Sequence, residues 1–481
     1  MRTALDNSAQ TVYNYDSTDL RSVTVTADSG TALTTAYTYD GMGRLTAETD
    51  ARGNTTAYTY DVRGRVTAVT SPDGSVTTYA YDVANNRTTV TAPGREAVVY
   101  VYDAAGRQIG TQYASGERLS EAFYDEHGRL TAETAGDAAA WRATYYAYDA
   151  RGRVLEKAVF DADDALVSRE TCTYDDAASG GYAVVTKTLH GDADAADQTT
   201  VTYTDKYGDT VRTDVAGVVT SYAYDYVGNA VRSFYGTTTL AAYTYDFRGN
   251  VLTETDALGN TRSFTYDALG RKTAERDCKG NTTTYAYDLA GRLLTVTAPL
   301  SDTTDAVTVY TYDANGNITS VTENKKKVSY VYDGLNRLVR ENNELLNKTI
   351  TYYYDEGGNL REEREYDYTT DPVSGTPKKL TTAVMDEKWK DKLLKWGSTE
   401  MTYDACGNML KKGDTTFTWT QGRKLSAINN GKNIRYYYDH TGARVKKVVD
   451  GVTTEYRMAG SLLVSERTGD ETIWYQYDSA A

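Results

Sequence analysis

Histidine, cysteine, proline, phenylalanine and tryptophan are all scarce in this sequence, and the scarcities close off whole classes of protein. The three histidines, His127, His190 and His440, stand far apart and outside any metal-protease spacing, so neither a zinc centre nor a catalytic triad is expected. Cys172, Cys278 and Cys406 are likewise scattered, in no metal-ligand spacing and odd in number, so they cannot all pair within the chain and read as buried or inert thiols. No apolar run reaches the length of a membrane span. Met1 to Gln10 lacks the apolar core of a signal peptide, so an export signal is expected outside this chain. Glycines come singly, never as a phosphate-binding loop, and no cofactor is expected. The formal charge of −15 opposes binding to nucleic acid or an anionic membrane.

What the chain has instead is tyrosine, 44 of them against 6 Phe and 5 Trp, together with 39 glycines and only 5 prolines. Thr- and Tyr-rich sequence punctuated by glycine reads as strands joined by tight turns. The mean hydropathy of −0.58 suits a thin amphipathic sheet better than a thick core.

Tyr-Asp pairs recur along the whole chain. They fall 21 residues apart from Tyr39 to Tyr102, and the same interval runs from Tyr203 through Tyr224, Tyr245 and Tyr266 to Tyr287. A fixed period of this kind marks a repeat architecture. Within one unit, Ala57-Tyr58-Thr59-Tyr60 alternates as a half-buried strand does. Asp61-Val62-Arg63-Gly64-Arg65 matches a three-residue hairpin loop with a left-handed glycine. Val66 to Thr70 then returns, and Ser71-Pro72-Asp73-Gly74 links to the next unit.

That loop predicts a register in which Asp61 faces Arg65, Tyr60 faces Val66 and Tyr58 faces Ala68. One face of the sheet should carry Tyr and aliphatic groups, and the other Thr with the Asp–Arg pairs. The repeat-motif residues are Tyr60, Asp61, Gly64 and Arg65; Tyr245, Asp246 and Gly249; Tyr266, Asp267, Gly270 and Arg271; and Tyr287, Asp288, Gly291 and Arg292. The aliphatic position recurs as Leu45, Leu130, Val154, Val251, Leu293 and Ile318.

Residues 1–359 form the regular array, 360–400 an insertion, and 401–481 weaker repeats. Acidic stretches at 161–164 and 192–197 read as solvated loop tips. Sixteen of the 21 lysines lie between Lys325 and Lys447, a late change in composition. In the insertion, Trp389, Leu393 and Trp396 at i, i+4 and i+7 predict a short amphipathic helix laid over the sheet.

The Y-D-x-x-G-[RN] motif at this spacing resembles the Rhs/YD-repeat family, which includes bacterial polymorphic-toxin shells, Gram-positive wall-associated proteins, the Tc toxin shell and teneurins. The resemblance runs from about Tyr13 to Asp478. It implies an all-β fold: about 20 antiparallel hairpins in one long curved or spiralling sheet, a partial hollow shell, here with the helix-containing insertion. It also implies a structural scaffold that encapsulates and delivers a C-terminal toxin, or else a cell-surface module for carbohydrate binding or adhesion. Its partners would be toxin cargo or flanking shell segments absent from this chain, or a surface glycan, and its location secreted or at the cell surface. The family's self-cleaving segment and toxin are expected beyond this chain, so no aspartate here receives a proteolytic role.

Overall fold

The structure is a computed structural model. It describes every residue except 1, 4–9, 27–31, 136–141, 161–163, 191–196, 216, 302–303, 388–390, 405–406, 421–423, 439–443, 460–461 and 476–481. Among the described residues the chain forms 44 strands and no helix. It packs as two compact units, Met1–Val98 with Arg262–Ser398, and Val99–Thr261 with Thr399–Ala481. Inside each unit, strands pair antiparallel with their neighbours in sequence, as Thr55–Tyr60 pairs with Leu45–Thr49 and with Val66–Thr70.

The register departs from expectation in one systematic way. Tyr60 lies opposite Val66, but Thr59 lies opposite Ala68 and Tyr58 opposite Val69, not Ala68. Thr67 is an extra residue, a bulge one step inside the turn. The same shift precedes Tyr39, Tyr245, Tyr266, Tyr287 and Tyr312. Its consequence is a change of face. Val66 and Val69, three apart, both end on the tyrosine side, which an unbulged strand with its period of two forbids. Thr59 and Thr67 meet on the opposite face, hydroxyl to hydroxyl at 3.0 Å.

The expected helix is absent. Lys379–Met385 and Leu393–Trp396 form a hairpin in which Ala383 faces Trp396 and Met385 faces Leu393. Trp389 lies outside the described residues. A run of four apolar-rich residues cannot distinguish helix from strand by its period. An isolated short helix is marginal in water, whereas a hairpin here also joins an existing ladder through Lys379–Met385. What lies on the sheet is irregular chain. The fully buried Thr349 donates its hydroxyl to the Thr369 carbonyl at 3.0 Å, and Arg340 donates to the carbonyls of Thr369 and Asp371.

The apolar core is thin in both units. Val328, Ile350 and Ala383 are among the few buried apolar side chains of the first, and Ala143, Ala158, Ala241 and Tyr243 of the second. Stability must therefore come from many small contacts summed between neighbouring repeats.

Candidate functional site

The residues of the repeat motif assemble first at the turn. Gly64 donates its amide to the Asp61 carbonyl, and Asp61 donates its own to the Arg65 carbonyl. Gly64 sits at φ +82, in the left-handed region that a Cβ disfavours. The Asp61 carboxylate accepts from the amides of Arg63 and Arg65, and its other oxygen accepts from Arg65 Nε at 2.8 Å. These contacts hold its pKa below the ordinary carboxylate value, the Arg65 amide contributing most. The same geometry recurs at Asp267 with Arg271 and Gly270 (φ +81), and at Asp288 with Arg292 and Gly291 (φ +87). At Asp246 and Gly249 (φ +87) the partner is Asn250, which keeps the turn bond at 2.8 Å but is too short to reach further.

The arginine does reach further, and not onto the threonine face. Arg44 donates to its own Asp40 and to the Asp61 carbonyl of the next turn, while its guanidinium lies 4.8 Å from the ring centre of Tyr60. Arg271 treats Asp288 and Tyr287 in the same way, and Arg292 treats Asp313 and Tyr312. The expectation that Asp–Arg pairs share a face with Thr is thus corrected. A flat cation over an aromatic ring is favourable, and one side chain bridges two repeats.

Tyrosine completes the link in the other direction. Tyr60 donates its hydroxyl to the Leu45 carbonyl at 2.6 Å, Tyr245 to Ala230 at 2.6 Å, and Tyr287 to Lys272 at 2.8 Å. Each acceptor is the first residue after the preceding turn, beside the bulge. At Trp419 the indole N–H plays this part, donating to Met409 at 2.7 Å. Tyr266 closes its strand opposite Lys272. Sequence reasoning missed this clasp, although the near-exclusion of Phe in favour of Tyr was a legible sign that the hydroxyl is used.

A second assembly joins distant repeats within the first unit. Arg52, in the linking turn Asp50-Ala51-Arg52-Gly53-Asn54, donates to the carbonyls of Tyr332 (2.9 Å) and Asp333 (3.0 Å) and to Asn336 Oδ1 (3.1 Å). Asn315 donates to Asp50 Oδ2 at 2.6 Å, and Arg337 approaches Asp73 at 4.0 Å. Tight backbone approach accompanies this seam. A Cβ on Gly94 would lie 2.9 Å from the amide nitrogen of Gly357, so glycine is required there. Linking turns of one stretch therefore dock on the Tyr-Asp turns of another, 280 to 284 positions later in the Arg52 contacts.

Other chemistry is sparse. Among the described residues no group of three or more His, Cys, Asp or Glu could hold a metal. His127 stands exposed beside Glu126. His190 lies between the Thr171 hydroxyl (2.8 Å) and the Asp197 carboxylate (3.0 Å), in the order of a triad. Thr171, however, is mid-strand with ladders on both sides, where backbone amides are committed and no oxyanion hole can form. Cys172 and Cys278 are free thiols. Cys406, His440, Gly422 with Arg423, and most of the acidic stretches (161–163 and 192–196) lie outside the described residues. Among the described residues no helix is long and apolar enough to cross a membrane.

The RHS Repeat family model matches residues 43–76 and 60–97, and the Teneurin YD-shell model matches residues 261–373. The tRNA nuclease WapA of Bacillus subtilis (strain 168) is 28% identical over 152 residues, and the tRNA3(Ser)-specific nuclease WapA of Bacillus spizizenii is 29% identical over 152. The chain carries RHS- and YD-type repeats over the residues those models match and resembles the Rhs/YD-repeat superfamily. Each WapA match covers 30% of this YD-repeat chain and only 6% of the relative. The fold is also that of a chain in the Photorhabdus luminescens Tc holotoxin pore with the TccC3-D651A mutation, at a TM-score of 0.59 and 15% identity. That likeness covers 96% of this chain and 30% of the other. The YD-repeat chain is thus an array of β-hairpin repeats of the RHS and YD-shell type, with the fold of that Tc holotoxin chain.

Proposed function

We propose that this array is a wall section of an Rhs-type shell that encloses and delivers a toxin carried on the same polypeptide, in a secreted or surface-attached protein. The seam carries the reading. A ribbon one hairpin wide, about 20 Å, cannot enclose a protein. Docking linking turns onto Tyr-Asp turns of a later stretch turns a ribbon into a broader wall, and Arg52 makes that joint with three acceptors. The proposed role is mechanical, with no catalytic step.

The test uses the polypeptide encoded by the native gene, with a protease-sensitive reporter replacing whatever follows the repeats. Protection of the reporter, lost in Arg52→Ala, is the expected result. Digestion at the rate of the free reporter in the unmodified protein would overturn the reading.

Glycan binding is the second reading, favoured by a cavity of about 550 Å3 lined by Trp419, Arg435, Tyr436, Tyr437 and Tyr438. Against it, Arg444 and Lys446 already lie 4.2 and 4.1 Å from the ring centres of Tyr436 and Tyr437, where a sugar would stack. Saturable binding to a glycan panel that is lost in Tyr437→Ala would favour this reading over the first.

A further inference from the structure

The second unit leaves large side chains uncovered on both turn-bearing edges of its sheet. Three successive hairpin turns carry large exposed aromatic side chains: Tyr207 (76% exposed), just before its turn glycine, and Tyr226 (98%) and Phe247 (92%), just after their turn aspartates. Their hairpins are consecutive and paired, so the tips lie on one side of the sheet, about 10 Å apart. Monomeric proteins seldom leave three aromatics in a row to water. On the opposite side, the linking turn Asp256-Ala257-Leu258-Gly259-Asn260 copies Asp50-Ala51-Arg52-Gly53-Asn54 residue for residue, except that Leu258 replaces Arg52. Leu258 is 88% exposed. Its turn has the same bonds, Gly259 donating to the Asp256 carbonyl as Gly53 does to Asp50.

We infer that Tyr207, Tyr226 and Phe247 form a docking strip for the linking turns of a second copy of this chain, with Leu258 of that copy seated among the aromatic tips. The first unit supplies the template. There the linking turn carries Arg52, the opposing turns carry Asn315, Asn336 and the small Ala314 and Gly334, and the contact is polar and close. In the second unit both partners change together. The linking turn gains Leu258 and the Tyr-Asp turns gain aromatics, so the same geometry becomes an apolar joint.

Lys206 and Arg248 flank the strip, their cationic groups 4.8 and 5.1 Å from the Tyr207 and Phe247 ring centres. The linking turn keeps its Asp256 carboxylate on its own Leu258 and Asn260 amides and on Asn260 Nδ2, so the group it presents outward is the Leu258 side chain. One strip and one linking turn per chain, at different places, give a head-to-tail contact that leaves a free half at each end. The inference rests on the seam and not on the enclosed toxin, so the reporter assay above does not decide it.

Sedimentation velocity on the full chain, from about 1 to about 100 µM, tests it. Concentration-dependent association is expected. It should weaken at least about tenfold in Tyr207→Ser/Tyr226→Ser/Phe247→Ser, and equally in Leu258→Asp, because buried aromatic anchors dominate such contacts. Val62→Ser, at an exposed tip of a turn in the other unit, should change nothing. As an independent readout in a background with Cys172, Cys278 and Cys406 changed to Ser, Tyr226→Cys mixed with Leu258→Cys should give an oxidised dimer between chains, which neither gives alone. A monomer throughout the range, or association unaffected by the triple and Leu258 substitutions, overturns the inference.

Discussion

Tyr60 donates its hydroxyl to the carbonyl oxygen of Leu45 at 2.6 Å, while Arg44, from the hairpin that holds Leu45, lies over the Tyr60 ring. Where a turn ends in arginine, the following repeat is therefore gripped twice by its neighbour, once through the tip of an aromatic ring and once through its face. The bond reaches back to the preceding hairpin, so its loss should be felt there.

Tyr60→Phe should accordingly loosen the hairpin at 39–49 by about 1 kcal/mol, the net worth of a buried hydrogen bond. Amide exchange resolved along the chain is the measurement. Faster exchange at 45–49 than at 66–70 is expected, and Tyr226→Phe, at an exposed tip, should leave both unchanged. Uniform loss across the array would mean the clasp is not local.

Gly64 and Gly41 occupy turns of the same kind but in different conformations. Gly64 has φ +82, and a Cβ placed there would meet only Arg44 Cδ, at 4.0 Å, so the difficulty is backbone strain and not space. Gly41 has open space and no left-handed backbone. Gly64→Ala should cost roughly 1 kcal/mol, whereas Gly41→Ala should be neutral or slightly stabilising. Denaturation of the two variants side by side decides it; equal effects contradict the turn geometry.

Arg52→Ala should release Tyr332 to Arg337 from the linking turn. Exchange of amides there should rise by roughly tenfold, the equivalent of about 1.4 kcal/mol for a set of charge-assisted hydrogen bonds. Amides at 224–230, in the other unit, serve as the control. Unchanged protection at 332–337 would show that the seam adds nothing to stability.

The pH profile should have two flanks. Asp61, Asp103 and Asp125 sit below the usual carboxylate value, chiefly through the amides of Arg65, Arg107 and Arg129, aided by the guanidinium groups. Lowered values favour the folded state above about pH 4, and that contribution disappears as the pH falls through them. Tyr352 is pushed up to about 12 by burial and then by Glu341 and Glu363. A raised phenol contributes fully below about pH 10 and is lost as the pH climbs to about 12. Denaturant midpoints should thus form a plateau between those limits. A midpoint still undiminished at pH 2 would contradict the turn assignment.

The strands, the turn positions and the Asp–Gly–Arg chemistry were legible in the residues, because each depends on contacts within about ten positions. Alternation of Tyr and Thr specifies a strand, and Gly64 after Asp61 specifies a left-handed turn, whatever surrounds them. Register was less legible. The bulge at Thr67 changes which of Val66, Ala68 and Val69 share a face with Tyr58, and a pattern of three against two residues resolves only when both strands are in place. The helix expected around Leu393 failed for the same reason, since four residues cannot state their own period and the neighbouring strand decided for them. The seam lay furthest from view. Nothing in Asp50-Ala51-Arg52-Gly53-Asn54 names Asp333 as its partner, and Asp256-Ala257-Leu258-Gly259-Asn260 differs at one residue only. Which turn meets which depends on a sum of small strand twists over many residues, which no local pattern contains.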